Sequence, residues 1–166
     1  MISTERLDLR LPAEADRDRF VALFQDEAFM VYSGGVLDDG AASARFDRML
    51  ERADEVPFAK QPVIERSSGT ILGYTGVDAF EYQGVRRLEY GYRLVPDARG
   101  KGYATEAGRA LLAMADEWVT EPFELMAMID PRNAPSRNVI GKLGFRYWKT
   151  GEVNGWIDDM FLRTVG

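Results

Sequence analysis

Apolar and polar residues alternate strictly in "ERLDLRL" (5–11), which predicts a strand that Pro12 ends. The rhythm then lengthens. Phe20, Val21, Leu23 and Phe24 stand at helical spacing within residues 13–28, and Ala42, Phe46, Met49, Leu50 and Ala53 line one side of a second helix over 41–55. The glycine-bearing "YSGGVLDDG" (32–40) reads as the loop between them. Strand periodicity returns in "FAKQPVIER" (58–66) and "TILGYTGVDAF" (70–80), a hairpin around "SSG", and again in "RRLEYGYRLV" (86–95). A helix over about 103–119 puts Ala104, Ala107, Leu111, Ala115 and Trp118 on one face. "FELMAMID" (123–130) alternates as a strand, and "PRNAPSRN" opens a helix ending near Leu143, with Gly144 placed just past its C-cap. "FRYWK" and "WIDDMFLRTV" close the chain as two strands joined through "TGEVNG". The order β-α-α-β-β-β-α-β-α-β-β predicts an α/β or α+β sheet covered on both faces, and no Pro- or Gly-rich linker divides it. The glycines of "TILGYTG" read as packing devices, and Trp118, Trp148 and Trp156 as core or interface anchors.

Composition narrows the chemistry. The 166 residues fit one domain with a sizeable core. There is no cysteine and no histidine, which removes disulfides, thiolate nucleophiles, histidine bases and nearly all zinc chemistry. The formal net charge of −6 argues against a general nucleic-acid binder and is mildly favourable for cationic substrates. No apolar run approaches the ~18 residues of a membrane span. "MISTERLDLRL" lacks the pattern of a signal peptide, so the cytoplasm is the expected location.

The stretch with the clearest chemistry is "RGKGYA" (99–104), a short basic glycine loop between a strand and a helix. The first N–H groups of a helix lack intrahelical partners and sit at the positive end of its dipole, so they favour an anion. A phosphate cradle and an unliganded turn both satisfy this local pattern. Two rival phosphate motifs fail. A P-loop needs glycine where Val95 stands and Ser or Thr where Gly102 stands; a dinucleotide fingerprint needs a third glycine where Thr105 stands.

"RGKGYA" resembles the [RQ]-x-x-G-x-[GA] signature of the GCN5-related N-acetyltransferases, the GNAT superfamily. "TERLDLRLP", "LEYGYRLVPDARGKGYATEA" and "NAPSRNVIGKLGF" (133–145) are similar, in order, to the opening strand, the central strand–loop–helix and the last motif of its RimJ/RimL-like branch, the ribosomal-protein-alanine acetyltransferases. The resemblance covers essentially the whole chain. It implies one domain over 1–166, with a mixed, mostly antiparallel sheet of about seven strands and helices on both faces. It also implies acetyl-CoA as donor, no metal, an amine as acceptor and direct attack on the thioester without a covalent enzyme intermediate. A homodimer is compatible with it.

Carried over residue by residue, the resemblance gives the CoA pyrophosphate to the backbone N–H groups of Arg99, Gly100, Lys101, Gly102, Tyr103 and Ala104, with Thr105 in the same turn. Tyr92, Arg93, Leu94 and Val95 pair with the pantetheine arm, and an N–H near Leu94 polarises the thioester carbonyl. Only ~0.04% of a lysine side chain is neutral at pH 7, against ~10% of an α-amine, so an α-amine needs little help from a base. Glu89 is the leading base and an acceptor-side residue; Asp130, Glu152, Asp158 and Asp159 are weaker candidates, Asp130 also as a substrate contact. Many family members place a tyrosine acid seven residues after the asparagine of the last motif, but that position is Ile140 here. Ser136 takes the role of acid instead, and Asn133 touches the pantetheine arm; an N-cap and a first-turn serine are the plainer alternatives. Arg137 and Lys142 can meet CoA phosphates, and Tyr32 and Ser33 lie where the acceptor site is lined. The acceptor stays open among a protein N-terminus, an amino acid, a polyamine and an aminoglycoside-like drug. A non-catalytic acyl-CoA-binding regulator is the alternative function.

Overall fold

The opening alternation folds as two short strands, β1 (Ile2–Ser3) and β2 (Leu7–Leu9), in the computed structural model, which describes residues 1–153 and 155–166. Leu7 and Leu9 point inward and are fully buried. Strand β2 stops before Arg10 because that side chain turns to Asp16, making paired hydrogen bonds of 2.6 Å to a buried carboxylate.

The helix expected over 13–28 is broken. A 3₁₀ turn (Glu14–Asp16) leads into α1 (Arg17–Phe24), and a second, short helix α2 covers Glu27–Met30. The break has a local cause: the Asp26 side chain accepts a hydrogen bond from Phe29 N–H at 2.6 Å and starts a new N-terminus there. Restarting the helix swings Phe29 and Met30 into a cluster with Phe20, Phe24, Phe46 and Tyr74. Helix α3 (Asp39–Ala53) begins two residues earlier than its apolar face suggested, capped by Asp38.

The remaining elements are β3 (Gln61–Glu65), β4 (Ile71–Tyr82), β5 (Val85–Leu94), α4 (Tyr103–Trp118), β6 (Phe123–Ile129), α5 (Ala134–Lys142), β7 (Arg146–Val153) and β8 (Trp156–Val165), with a 3₁₀ turn over Pro96–Ala98. Strand β7 runs further than "FRYWK". Thr150–Val153, expected in the connection, pair with Trp156–Asp159, and Asn154 of that connection lies outside the described residues.

The strands form one sheet of eight, ordered β1-β2-β3-β4-β5-β6-β8-β7, one more than the seven expected because the first strand is a separate pair. Every neighbouring pair is antiparallel except β5–β6, which is parallel. One face packs on α4 and α5 through Tyr90, Leu111, Leu125, Ile140 and Phe145. The other carries α1–α3 over Tyr74 and, further along, a small cluster of Met126, Met160, Tyr82 and Val153. Gly73 and Gly76 are packing devices as expected: a Cβ on Gly73 would stand 1.9 Å from Arg93 O, and one on Gly76 2.4 Å from Ala59 O.

The tryptophans are not core residues. Trp118, Trp148 and Trp156 are 53%, 40% and 57% exposed: Trp118 lies against the Phe58 ring, Trp148 against Tyr82 and the Lys149 ammonium, and Trp156 against Gly34. Among the described residues no helix is long and apolar enough to cross a membrane.

Candidate functional site

The parallel strand pair β5–β6 creates the site. β5 and β6 pair only at Leu88–Leu125 and Glu89–Met126 and then part, so β5 from Tyr90 onward has a strand on one side only. The phase of the ladder can be read directly. Val95 N–H donates to Leu72 O at 2.8 Å, which makes Leu94–Gly73 and, two residues back, Tyr92–Thr75 non-hydrogen-bonded pairs. The N–H groups of Tyr92 and Leu94 therefore point away from β4, toward the fork. Those of Arg93 and Val95 are already spent on β4.

The glycine loop stands at the end of this open edge. Gly102 is the N-cap of α4 with φ +83° and no side-chain hydrogen bond, so the first-turn N–H groups of α4 are not capped by the protein. A Cβ at Gly100 would meet nothing within 4 Å. Helix and loop are held from behind: Arg6 is paired with Glu106 at 2.6 Å, donates to Lys101 O and lies over the Tyr103 ring, whose hydroxyl reaches Glu65 at 2.9 Å. The side chain of Tyr103 is thus an anchor. Gly100, Gly102, Tyr103, Ala104 and Thr105 line one cavity of about 1040 Å³ with Tyr92, Arg93 and Leu94.

Three loop residues depart from their expected parts. Arg99 N–H donates to Pro96 O, and its guanidinium holds Leu94 O at 3.0 Å and Ala28 O at 2.7 Å, so its side chain ties the loop to α2 rather than facing a phosphate. Lys101 is exposed and does not line the cavity. Val95 lies outside the lining too, packed between the two main cores.

Helix α5 supplies the wall opposite β5. Asn133 is its N-cap, accepting from Ser136 N–H at 3.2 Å, and both line the cavity. Ser136 Oγ accepts a hydrogen bond from the Tyr92 hydroxyl at 2.9 Å. Burial raises the Tyr92 hydroxyl above its ordinary range, against the opposing effect of the Ser136 bond. The Tyr92 hydroxyl is a group that sequence reasoning passed over. No local signal in the sequence marks a strand tyrosine that meets a serine 44 residues away. Ile140, at the position of the missing tyrosine, is buried in the core.

Glu89, Gly91 and Arg93 alternate onto the face of β5 opposite Tyr90 and Tyr92. Burial pushes the Glu89 carboxyl above the usual carboxylate range; nearby Lys60 and Arg45 oppose the rise, while Asp78 and Asp158 add to it. The other carboxylates separate cleanly. Asp130 is bound by Arg132 at 2.6 Å and held down to about 2, which makes it a poor proton acceptor, though it lines the cavity. Asp158 lines the cavity and is raised by burial and by Asp130 and Asp159. Asp159 is buried on Thr150 at 2.5 Å and Arg137 at 3.2 Å, away from the lining, and Glu152 is exposed outside it. Neither of these two lines the cavity, and Arg137 is committed to Asp159. Lys142 is exposed and does line the cavity.

Tyr32 and Ser33 stand where expected, in the loop after α2, and line the same cavity with Gly34 and Gly35. Trp156 packs on Gly34 from the β7–β8 hairpin, joining the two segments at the cavity's mouth.

Comparisons with known proteins agree with this geometry. The family model described as "Acetyltransferase (GNAT) domain" matches residues 6–146. The uncharacterized protein YkkB of Bacillus subtilis (strain 168) is 30% identical over 150 residues, 89% of this chain and 86% of its own. Among solved structures, an acetyltransferase from Agrobacterium tumefaciens superposes with a TM-score of 0.83 at 23% identity, covering 98% of this chain and 92% of that one. A ribosomal-protein-S5-alanine acetyltransferase from Vibrio fischeri does so with a TM-score of 0.76 at 18% identity, covering 98% and 93%. At these identities the two structures speak for the fold.

Proposed function

Because the chain belongs to the acetyltransferase (GNAT) domain family, we propose that it transfers the acetyl group of acetyl-CoA to a primary amine by direct attack within a ternary complex. The observation that carries this reading is the fork between β5 and β6 running into the uncapped N-terminus of α4. An open strand edge matches an amide-rich arm, and a glycine-opened helix start matches a diphosphate. Acetyl-CoA supplies the activated thioester.

The chain's own residues do the rest. The N–H groups of Gly100 and of Gly102 to Thr105 hold the pyrophosphate, and those of Tyr92 and Leu94 face the arm and the thioester oxygen. A fixed donor of this kind is typically worth about 10²–10³ in rate. Asn133, with its side-chain oxygen used in the cap, keeps its amide N–H₂ for the arm. Glu89, raised by burial toward the range of a useful base, takes the proton of the incoming amine through water. The C–N bond forms as the C–S bond breaks. The Ser136 hydroxyl gives its proton to the departing sulfur, and the Tyr92 hydroxyl that donates to Ser136 Oγ leaves the serine's own proton free for this.

The resemblance of the last motif to the ribosomal-protein-alanine acetyltransferases favours an α-amine over a lysine side chain. A thiol-release assay with acetyl-CoA across peptides with N-terminal Ala or Ser, amino acids, polyamines and aminoglycosides tests the activity. At least one amine releases CoA if the reading holds. Tight acetyl-CoA binding with no release from any of them supports a regulator on the same fold.

A further inference from the structure

Two guanidinium groups on the acceptor side of the cavity have no carboxylate within ion-pairing distance among the described residues. Arg93, half-buried, lies between the rings of Phe29 and Tyr74 at 5.6 and 5.7 Å, and its polar contact is with the Met30 sulfur at 2.9 Å. Arg45, from α3, lies over Phe24 at 5.0 Å. Phe24, Phe29 and Tyr74 form one aromatic cluster, so the two cations approach the same patch from different elements. Both line the cavity. Other cations at this end have partners: Lys60 meets Asp78 at 3.0 Å, and Arg132 meets Asp130.

Desolvating a guanidinium without an anion is costly, and this protein has carboxylates to spare, with net charge −6. Burial lowers the Arg93 pKa, and Arg45 nearby lowers it further. Tyr74 responds in kind: burial raises its hydroxyl, but Arg93, Arg45 and Lys60 together bring it below its ordinary value. A third polar group waits beside them. Ser33 Oγ is buried without a hydrogen-bond partner, and Ser33 N–H is bonded to Met30 O, on the residue whose sulfur touches Arg93.

The floor between these groups and Glu89 is open. On this face the β4–β5 register stacks three rows: Tyr74 with Arg93, Gly76 with Gly91, Asp78 with Glu89. The space over Gly76 is filled by the Ala59–Lys60 backbone, whereas a Cβ on Gly91 would find Glu89 Oε1 at 3.8 Å as its nearest neighbour. A small molecule over Gly91 therefore has a carboxylate at one end and guanidinium groups at the other.

We propose that the acceptor is a small amine bearing a carboxylate next to its nitrogen, an α-amino acid or close analogue, with Arg93 and Arg45 holding the carboxylate and Ser33 Oγ donating beside them. This rests on the acyltransferase reading above. The net negative charge of the chain, which suits a cationic acceptor, is overruled by the local charge. The transfer balances: the neutral amine's lone pair makes the new C–N bond, the C–S bond breaks, one proton leaves nitrogen to Glu89 and on to solvent, and one reaches sulfur from Ser136, which regains its proton from solvent through the Tyr92 hydroxyl. The product is an N-acetyl amino acid with its carboxylate intact, and CoA thiol.

The test measures thiol release from acetyl-CoA with each standard L-amino acid, with its carboxamide, and with putrescine. The accepted amino acid should exceed its carboxamide by about 10²-fold or more in kcat/KM, since a site built around buried polar groups rejects an analogue that leaves them unpaired. Arg93→Gln should bring that ratio toward one, mainly through KM, and Arg93→Lys should restore part of it. Arg45→Gln, on a helix surface, should also lower the ratio and serves if Arg93→Gln does not fold. Carboxamides or putrescine used as well as amino acids, no amino acid used at all, or a ratio unmoved in the Arg45 and Arg93 variants would overturn the proposal. Acetyl-CoA calorimetry on the same samples separates the two readings. Absent binding sinks the acyltransferase, whereas binding and turnover without carboxylate preference sink only this acceptor.

Discussion

Glu89 shows how one residue's environment sets its chemistry. Its carboxyl is raised by burial, so ionising it in the folded protein costs stability. That cost is absent below the unfolded value of about 4.3 and grows as pH rises through the folded one. Glu89→Gln should therefore have a higher Tm than the parent at pH 7 and an equal one near pH 4. Its kcat/KM should fall most at pH values below the amine's pKa, where a base matters. A pH–rate profile unchanged by the substitution removes Glu89 from the mechanism. The Tyr92–Ser136 pair gives a second residue-scale prediction. Ser136→Ala and Tyr92→Phe should each lower kcat, by about 10²-fold for the serine as a lost general acid, with the acetyl-CoA KM nearly unchanged. The double variant should be little worse than Ser136→Ala alone, because the two hydroxyls act in one chain. Additive losses in the double variant would show that they act separately.

At the scale of elements, the site depends on how α4 lies against β5. Gly108 lets them touch: a Cβ there would stand 2.5 Å from the Tyr90 hydroxyl and 2.7 Å from Leu143 Cδ1. The Tyr90 hydroxyl is itself held by Thr75 at 2.8 Å in the core. Gly108→Ala should destabilise by about 1–3 kcal/mol through overpacking, although alanine favours a helix. A lower urea midpoint at unchanged slope would confirm it, and an unchanged midpoint would refute it. Gly102, at φ +83°, bears on function instead. Gly102→Val forces a β-branched residue into a left-handed N-cap and sets its Cβ 3.4 Å from Arg6 Nη2, shifting the first turn of α4, so acetyl-CoA affinity should fall with a smaller loss of stability.

Across the whole molecule, the fold was legible where local pattern decides. Alternation marked the long strands, the helical faces of α3 and α4 were clear, and the rival phosphate motifs failed on one or two residues each. The break at Gln25–Asp26 escaped notice because an aspartate cap within an apolar stretch looks like one helix with a polar position. The extent of β7 escaped because Thr150–Val153 are strand only by pairing with β8. The donor side of the site is mainly backbone at a glycine loop and a strand edge, and sequence spacing exposes such features. The proposed acceptor side draws on α3, β5 and the loop after α2, and Arg45, Arg93 and Ser33 look like ordinary surface residues until the fold sets them on one cavity. The tryptophans mislead for the same reason: their size suggests a core, while their exposure at sheet edges and the cavity mouth is a property of the assembled fold.

The β5–β6 fork and the start of α4 are together the proposed acetyl-CoA site. Isothermal titration of the protein with acetyl-CoA, and separately with ATP, tests it most directly. The structure predicts saturable acetyl-CoA binding at one site per chain, weakened in Gly102→Val, with no comparable binding of ATP. Tight ATP binding without acetyl-CoA binding would contradict it.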